Sequence, residues 1–179
     1  MTAYQKFLTL VGEAGYFDQH DHVLIAVSGG IDSMTLFDWL YEAKDVLGVS
    51  LSVAHVNHKQ RPESDVEENQ LSEKMKHLGI PFYSADYVGV FSEEKAREFR
   101  YHFFESIMTE HAISALVTAH HKNDLIENFL IRQIRGSRLR HMTSMKPVQS
   151  FGPSIAHLEL IRPLLSFEKS EFETTDYFE

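Results

Sequence analysis

The chain has 179 residues, 43% of them hydrophobic and 24% charged, with a formal net charge of −9 and no cysteine. That length and composition fit one α/β domain with a buried core, and the missing cysteines exclude disulfides, Cys-ligated zinc or iron–sulfur, and thiolate chemistry within the chain. The acidic balance argues against gripping nucleic acid over the whole surface. No apolar run approaches the roughly 20 residues of a membrane span, and the N-terminus lacks a signal-peptide pattern, so a cytoplasmic location is the default expectation.

In chain order, short apolar runs alternate with longer amphipathic segments. Tyr4 to Ala14 reads as an opening helix and Val23–Val27 as a first strand. Met34–Val46 is helical and is closed by Gly48; Val49–Val56 is a second strand. Ser64-Asp65-Val66-Glu67 has the spacing of a capping box and starts a helix that ends at Gly79. Pro81–Ala85 is a third strand, and Ser92 opens a helix to about Glu110 with Phe99, Phe103 and Ile107 on one face. Ile113–Ala119 is a fourth strand, Asn123–Arg135 a helix stopped by Gly136, and His157–Ile161 a fifth strand before Pro163. Gln149–Ser154 reads as a surface loop. Strands alternating with helices imply right-handed crossovers and a three-layer α/β fold, a mainly parallel sheet with helices on both faces.

Between the first strand and its helix lies Ser28-Gly29-Gly30-Ile31-Asp32-Ser33. Adjacent glycines let backbone approach an anion, and the helix N-terminus points free N–H groups at it. The serine hydroxyls add donors and Asp32 can hold Mg2+ beside phosphates. With no Lys in the loop, this is not a Walker-type loop; the bland alternative is a Ser/Gly turn capping an ordinary helix. In a parallel sheet the ligand sits beyond the carboxyl ends of the strands. This gathers the loop after Val27, the His55–His58 segment and the His120–Asp124 segment around one crevice. His120 and Asp124 have the i, i+4 spacing of a metal-ligand pair, but no second pair completes a tetrahedral set. From Phe129 to His157 there is no Asp or Glu, while Arg132, Arg135, Arg138, Arg140 and Lys146 fall inside. Such a stretch serves equally as a phosphate-contacting edge or as a solvated helix end.

Taken together, AVSGGIDSM, AHVNHKQRPES, AREFRYHFF, LVTAHHKNDLIEN, RQIRGS and IRPLL resemble the tRNA(Ile)-lysidine synthetase family of the PP-loop (N-type ATP pyrophosphatase) superfamily, over about residues 20 to 165. The sequence departs from the family pattern at Gln60, Asn128 and Arg138. The resemblance implies an adenine nucleotide alpha hydrolase-like domain that binds ATP and Mg2+. It implies a ligase that adenylates the wobble cytidine of isoleucine tRNA with a CAU anticodon and then joins L-lysine to it. The expected nucleotide contacts are Ser28, Gly29, Gly30, Ile31, Asp32, Ser33, Ala54 and His55, with Asp32 on Mg2+. Asp124 and Glu127 inherit a place near the incoming lysine and cytidine. Arg97 and Arg100 would neutralise phosphate or contact RNA, and Arg135 and Arg138 are candidate RNA or phosphate contacts. Family members are often dimers and continue past the RPLL motif. Residues 1–179 are therefore expected to be a single catalytic domain without the family's C-terminal tRNA-binding domains. The alternatives are another PP-loop ATP pyrophosphatase or a non-catalytic nucleotide-binding module.

Overall fold

The computed structural model describes residues 1–89, 92–124 and 145–173. Its helices are α1 (Ala3–Ala14), α2 (Ile31–Leu47), α3 (Ser64–Leu78), α4 (Glu93–Glu110) and a short α5 (Lys169–Glu173). The strands are β1 (His22–Ala26), β2 (Ser50–Asn57), β3 (Phe82–Asp86), β4 (Ala115–Val117), β5 (Val148–Phe151) and β6 (Leu158–Ile161). They form one six-stranded sheet in the order β3-β2-β1-β4-β6-β5, parallel except for the antiparallel β5–β6 pair. The chain builds outward from β1 through β2 to β3, then crosses back to place β4 on the other side of β1. The loops leaving β1 and β4 therefore diverge, and a crevice opens between them.

Strand alternation divides the interior into two cores. Val23, Ile25 and Val27 pack with Phe7 of α1, Leu36, Phe37 and Leu40 of α2 and Met75 of α3 on one face. On the other, Leu24, Ala54 and Val56 meet Phe104, Ile107 and Met108 of α4. Each fully buried aliphatic or aromatic side chain contributes about 1.5–3 kcal/mol. The expected layered α/β architecture is the one observed.

Two local features differ from the sequence reading. Gln149–Phe151, read as part of a loop, is strand: Gln149 pairs with Leu160 and Phe151 with Leu158. Its four residues form a short, half-exposed edge strand, too brief and too polar to carry a periodic signal. The capping box at Ser64 does not form. Glu63 precedes the helix in αR geometry without a side-chain cap bond, and the Glu67 carboxylate pairs with Arg61. A complete box stands instead at Thr2, whose hydroxyl accepts from the Gln5 N–H while the Gln5 side chain accepts from the Thr2 N–H. The helix expected over Asn123–Arg135 lies outside the described residues beyond Asp124.

After β6 the chain folds back beneath the crevice. Leu164, Phe167 and Phe172 are fully buried, and the Phe167 ring lies 6.1 Å from Trp39 of α2. The Lys122 N–H donates to the Phe167 carbonyl at 2.9 Å, tying the turn after β4 to this segment.

Candidate active site

Val27 is the last residue held by the sheet, its N–H on the Ala54 carbonyl at 2.9 Å. Gly29 then takes φ +92°, a conformation that side-chain-bearing residues rarely adopt, and nothing lies within 4 Å of where a Cβ would stand. That leaves the backbone open on its outer side. The Ser28 N–H donates to Ser33 Oγ at 3.0 Å, Ser33 Oγ donates to the Gly30 carbonyl at 3.2 Å, and the two hydroxyls lie 3.2 Å apart. Gly30 is the N-cap of α2 and offers no side chain to the first-turn N–H groups. The loop is thus braced from within by Ser33, which is 5% exposed, while the helix N-terminus stays uncapped and able to take an anion.

Asp32, in the first turn of α2, faces the turn after β4. His121 Nε2 lies 3.1 Å from Asp32 Oδ2, and the His121 N–H donates to Asp124 Oδ2 at 2.8 Å. Asp32 Oδ1 is buried with no hydrogen-bond partner. A carboxylate oxygen desolvated without a donor is costly, and a cation bridging it to phosphate oxygens relieves that cost. This orphan oxygen beside the helix N-terminus fits Mg2+, which typically takes one or two protein carboxylates and completes its shell with phosphate and water. Among the described residues no cluster of three or more His, Cys, Asp or Glu forms a protein-only metal cage. His120 Nδ1 is 2.7 Å from Thr118 Oγ1.

These groups open onto a cleft of about 470 Å³. On the β2 side its wall is Ala54, Val56 and His58, with Phe104 of α4. On the β4 side it is Thr118, His120 and Asp124, with Arg97, Arg100 and Tyr101 projecting from α4. Arg97 lies 5.5 Å over the Tyr101 ring, and neither Arg97 nor Arg100 has a carboxylate within ion-pair distance among the described residues. The α4 wall thus carries two arginines alongside Glu93, opposite the acidic pair Asp32 and Asp124. Both cleft imidazoles favour the neutral form. Burial, then Arg100 and His55, pushes His58 down. Burial, then Arg162 and Arg97 against the opposing Asp124, lowers His120 to about 4.

The cleft unites Ser28, Asp32, Ser33, Ala54, Arg97, Arg100 and Asp124 from the expected set. Gly29, Gly30 and Ile31 form the rim of the loop rather than the cleft wall. His55 stands on the other face of β2, its Nδ1–H donating to the Val27 carbonyl at 2.8 Å, so its side chain braces the start of the loop. Glu127, Arg135 and Arg138 lie outside the described residues. Sequence reasoning passed over Arg162. It is 3% exposed, donates to the Lys146 carbonyl and the Gln149 side chain, and hydrogen-bonds Tyr101. Its position next to Pro163 in an apolar run was the available signal, since a lone Arg inside such a run must find buried acceptors.

Among solved structures, the chain is similar in fold to U34-tRNA thiolase NcsA from Methanococcus maripaludis, with TM-score 0.74 and 16% identity over 96% of this chain and 60% of that one. FMN adenylyltransferase from Candida glabrata gives TM-score 0.56 and 15% identity over 96% and 54% of the two chains. Among curated sequences, tRNA(Ile)-lysidine synthase of Streptococcus mutans is 49% identical over 176 residues, 98% of this chain and 41% of the relative. That of Streptococcus sanguinis is 50% identical over 175 residues, 98% and 40%. The chain thus spans about two fifths of the length of these relatives. The PP-loop domain family model matches residues 1–178, nearly the whole chain, and the chain belongs to that family.

Proposed function

We propose that this chain is the ATP-dependent catalytic domain of a tRNA(Ile)-lysidine synthase. The observation that carries the reading is the joining, in one cleft, of an uncapped phosphate loop, an orphan carboxylate oxygen on Asp32, the arginines Arg97 and Arg100 and a second carboxylate, Asp124. The identity of about 49% to synthases of that name supports it over nearly the whole chain. On this reading the cytidine O2 attacks the α-phosphorus of ATP, and the bond to pyrophosphate breaks. The amine of L-lysine then attacks C2, and the C2–O bond breaks to release AMP.

Each described group has a part in this chemistry. The Gly29 backbone and the α2 N-terminus hold the departing pyrophosphate. Asp32 Oδ1 would hold Mg2+, which supplies charge neutralisation to the phosphates when bound. Arg97 and Arg100 take up negative charge at the α-phosphate from the α4 side. Asp124 stands on the β4 side, where it would orient the ammonium of the incoming lysine. Glu127 is proposed to share that task, and Arg135 and Arg138 to contact tRNA. Ala54 belongs to the apolar β2 side, which suits the adenine base.

The test is incubation of a protein of the relatives' full length with ATP, radiolabelled lysine and a CAU-anticodon isoleucine tRNA transcript, following pyrophosphate release and lysine incorporation. Residues 1–179 alone are expected to bind nucleotide with weak or absent modification. Transcript-dependent pyrophosphate release, lost in Asp32→Ala, is the expected result. Release that survives that substitution removes Asp32 from its proposed role. ATP binding with no pyrophosphate release in that full-length protein would instead identify a non-catalytic module.

A further inference from the structure

We propose that His121 is a positioning residue that aims the Asp32 carboxylate at the cation accompanying the bound nucleotide. This rests on the nucleotide-binding reading above and adds a residue to it. His121 is 5% exposed and its ring packs 5.5 Å from that of Phe172, so it is not placed to meet substrate. Its hydrogen bonds fix its tautomer. The Asn123 N–H donates to Nδ1 at 3.2 Å, so Nδ1 presents a lone pair and the ring proton sits on Nε2. Nε2–H then donates to Asp32 Oδ2 at 3.1 Å.

Among the described residues no other side chain donates to Asp32, so this single bond sets the rotation of its carboxylate. With Oδ2 held, Oδ1 is the oxygen presented, and it is the one buried without a partner. The backbone N–H of the same residue holds Asp124 Oδ2 at 2.8 Å. His121 Nε2 also lies 3.4 Å from that Asp124 oxygen, so the ring faces both carboxylates, while the shorter backbone bond holds Asp124 independently of the side chain. A side-chain substitution releases Asp32 and takes the imidazole away from Asp124, but keeps the backbone bond to Asp124. A residue that orients a metal-binding carboxylate typically contributes 10–100-fold to metal affinity.

The test measures Mn2+ binding to the chain in the presence of α,β-methylene ATP by electron paramagnetic resonance, and binding of the same analogue in EDTA by calorimetry. His121→Phe keeps the ring against Phe172 and removes the donor; His121→Gln restores an N–H near the Nε2 position. His121→Phe is expected to weaken Mn2+ binding at least about tenfold, to leave analogue affinity in EDTA unchanged, and to be largely rescued by His121→Gln. Nitrogen chemical shifts of the wild-type ring should report a proton on Nε2. Equal Mn2+ affinity in His121→Phe and wild type overturns the proposal, as does equal weakening in both variants or a proton on Nδ1. Failure of the wild-type chain to bind the analogue at all refutes the nucleotide reading instead, and the inference falls with it.

Discussion

Replacing His120 with Gln should flatten the acid limb of the stability curve. The ring sits in the cleft wall, where burial, Arg162 and Arg97 outweigh Asp124 and lower its pKa from 6.5 to about 4. Above pH 6.5 both folded and unfolded chains hold the imidazole neutral, and its contribution is fully present. As pH falls through the window from 6.5 to about 4, the unfolded chain takes up a proton that the folded chain resists, so stability is lost until the folded ring titrates. At about 1.4 kcal/mol per pH unit the window amounts to at most about 3 kcal/mol, less whatever the cleft-facing edge recovers from water. The assay is urea unfolding of wild type and His120→Gln at about pH 7.5 and about pH 4, the two ends of the window. Wild type should lose up to about 3 kcal/mol more than the variant between the two conditions. Gln can still hydrogen-bond the Thr118 hydroxyl, so the difference isolates the titration. Parallel pH dependence in the two proteins would refute the account of His120 as a proton-resisting group.

Arg162→Met should destabilise the fold by about 1–3 kcal/mol in urea unfolding, because the part-buried bonds to the Lys146 carbonyl and the Gln149 side chain lose their charged donor. Thr2→Ala removes half of the box at α1 and should cost about 1 kcal/mol, seen as a lower urea midpoint at unchanged slope. Arg97→Ala is expected to leave the fold intact, since its side chain has no ion-pair partner among the described residues, and should slow transcript-dependent pyrophosphate release about a hundredfold at saturating ATP. An unchanged rate would move Arg97 out of the reacting centre.

The layered fold was legible because periodicity and punctuation agreed along most of the chain: Val23–Val27 before a glycine pair, the α4 face of Phe99, Phe103 and Ile107, and glycines closing α2 and α3. β5 was not, since four half-exposed residues at a sheet edge depend on pairing with β6 rather than on their own pattern. Ser64 misled for a related reason. A cap needs extended backbone at its own position, and the Arg61–Glu63 turn enters α3 already helical. In the cleft, residue types at strand ends located Asp32 and Asp124, and the family resemblance located Arg97, but tertiary geometry decided what each neighbour does. His55 braces Val27 from the opposite face of β2, which strand alternation permits but sequence spacing cannot assign. Arg162 is far from the loop in sequence and acts on His120 in the cleft wall only because β6 lies beside β4.

The fold-back after β6 changes what counts as the smallest working unit of this domain. Every motif lining the cleft is complete by Met145, yet the turn bearing His121 rests on the Phe167 carbonyl and the Phe172 ring. A chain cut after Ile161 would keep those motifs and lose the buttress under them. Tension applied to residues 162–173 would travel through His121 to Asp32, which makes this stretch a mechanical handle on the phosphate loop.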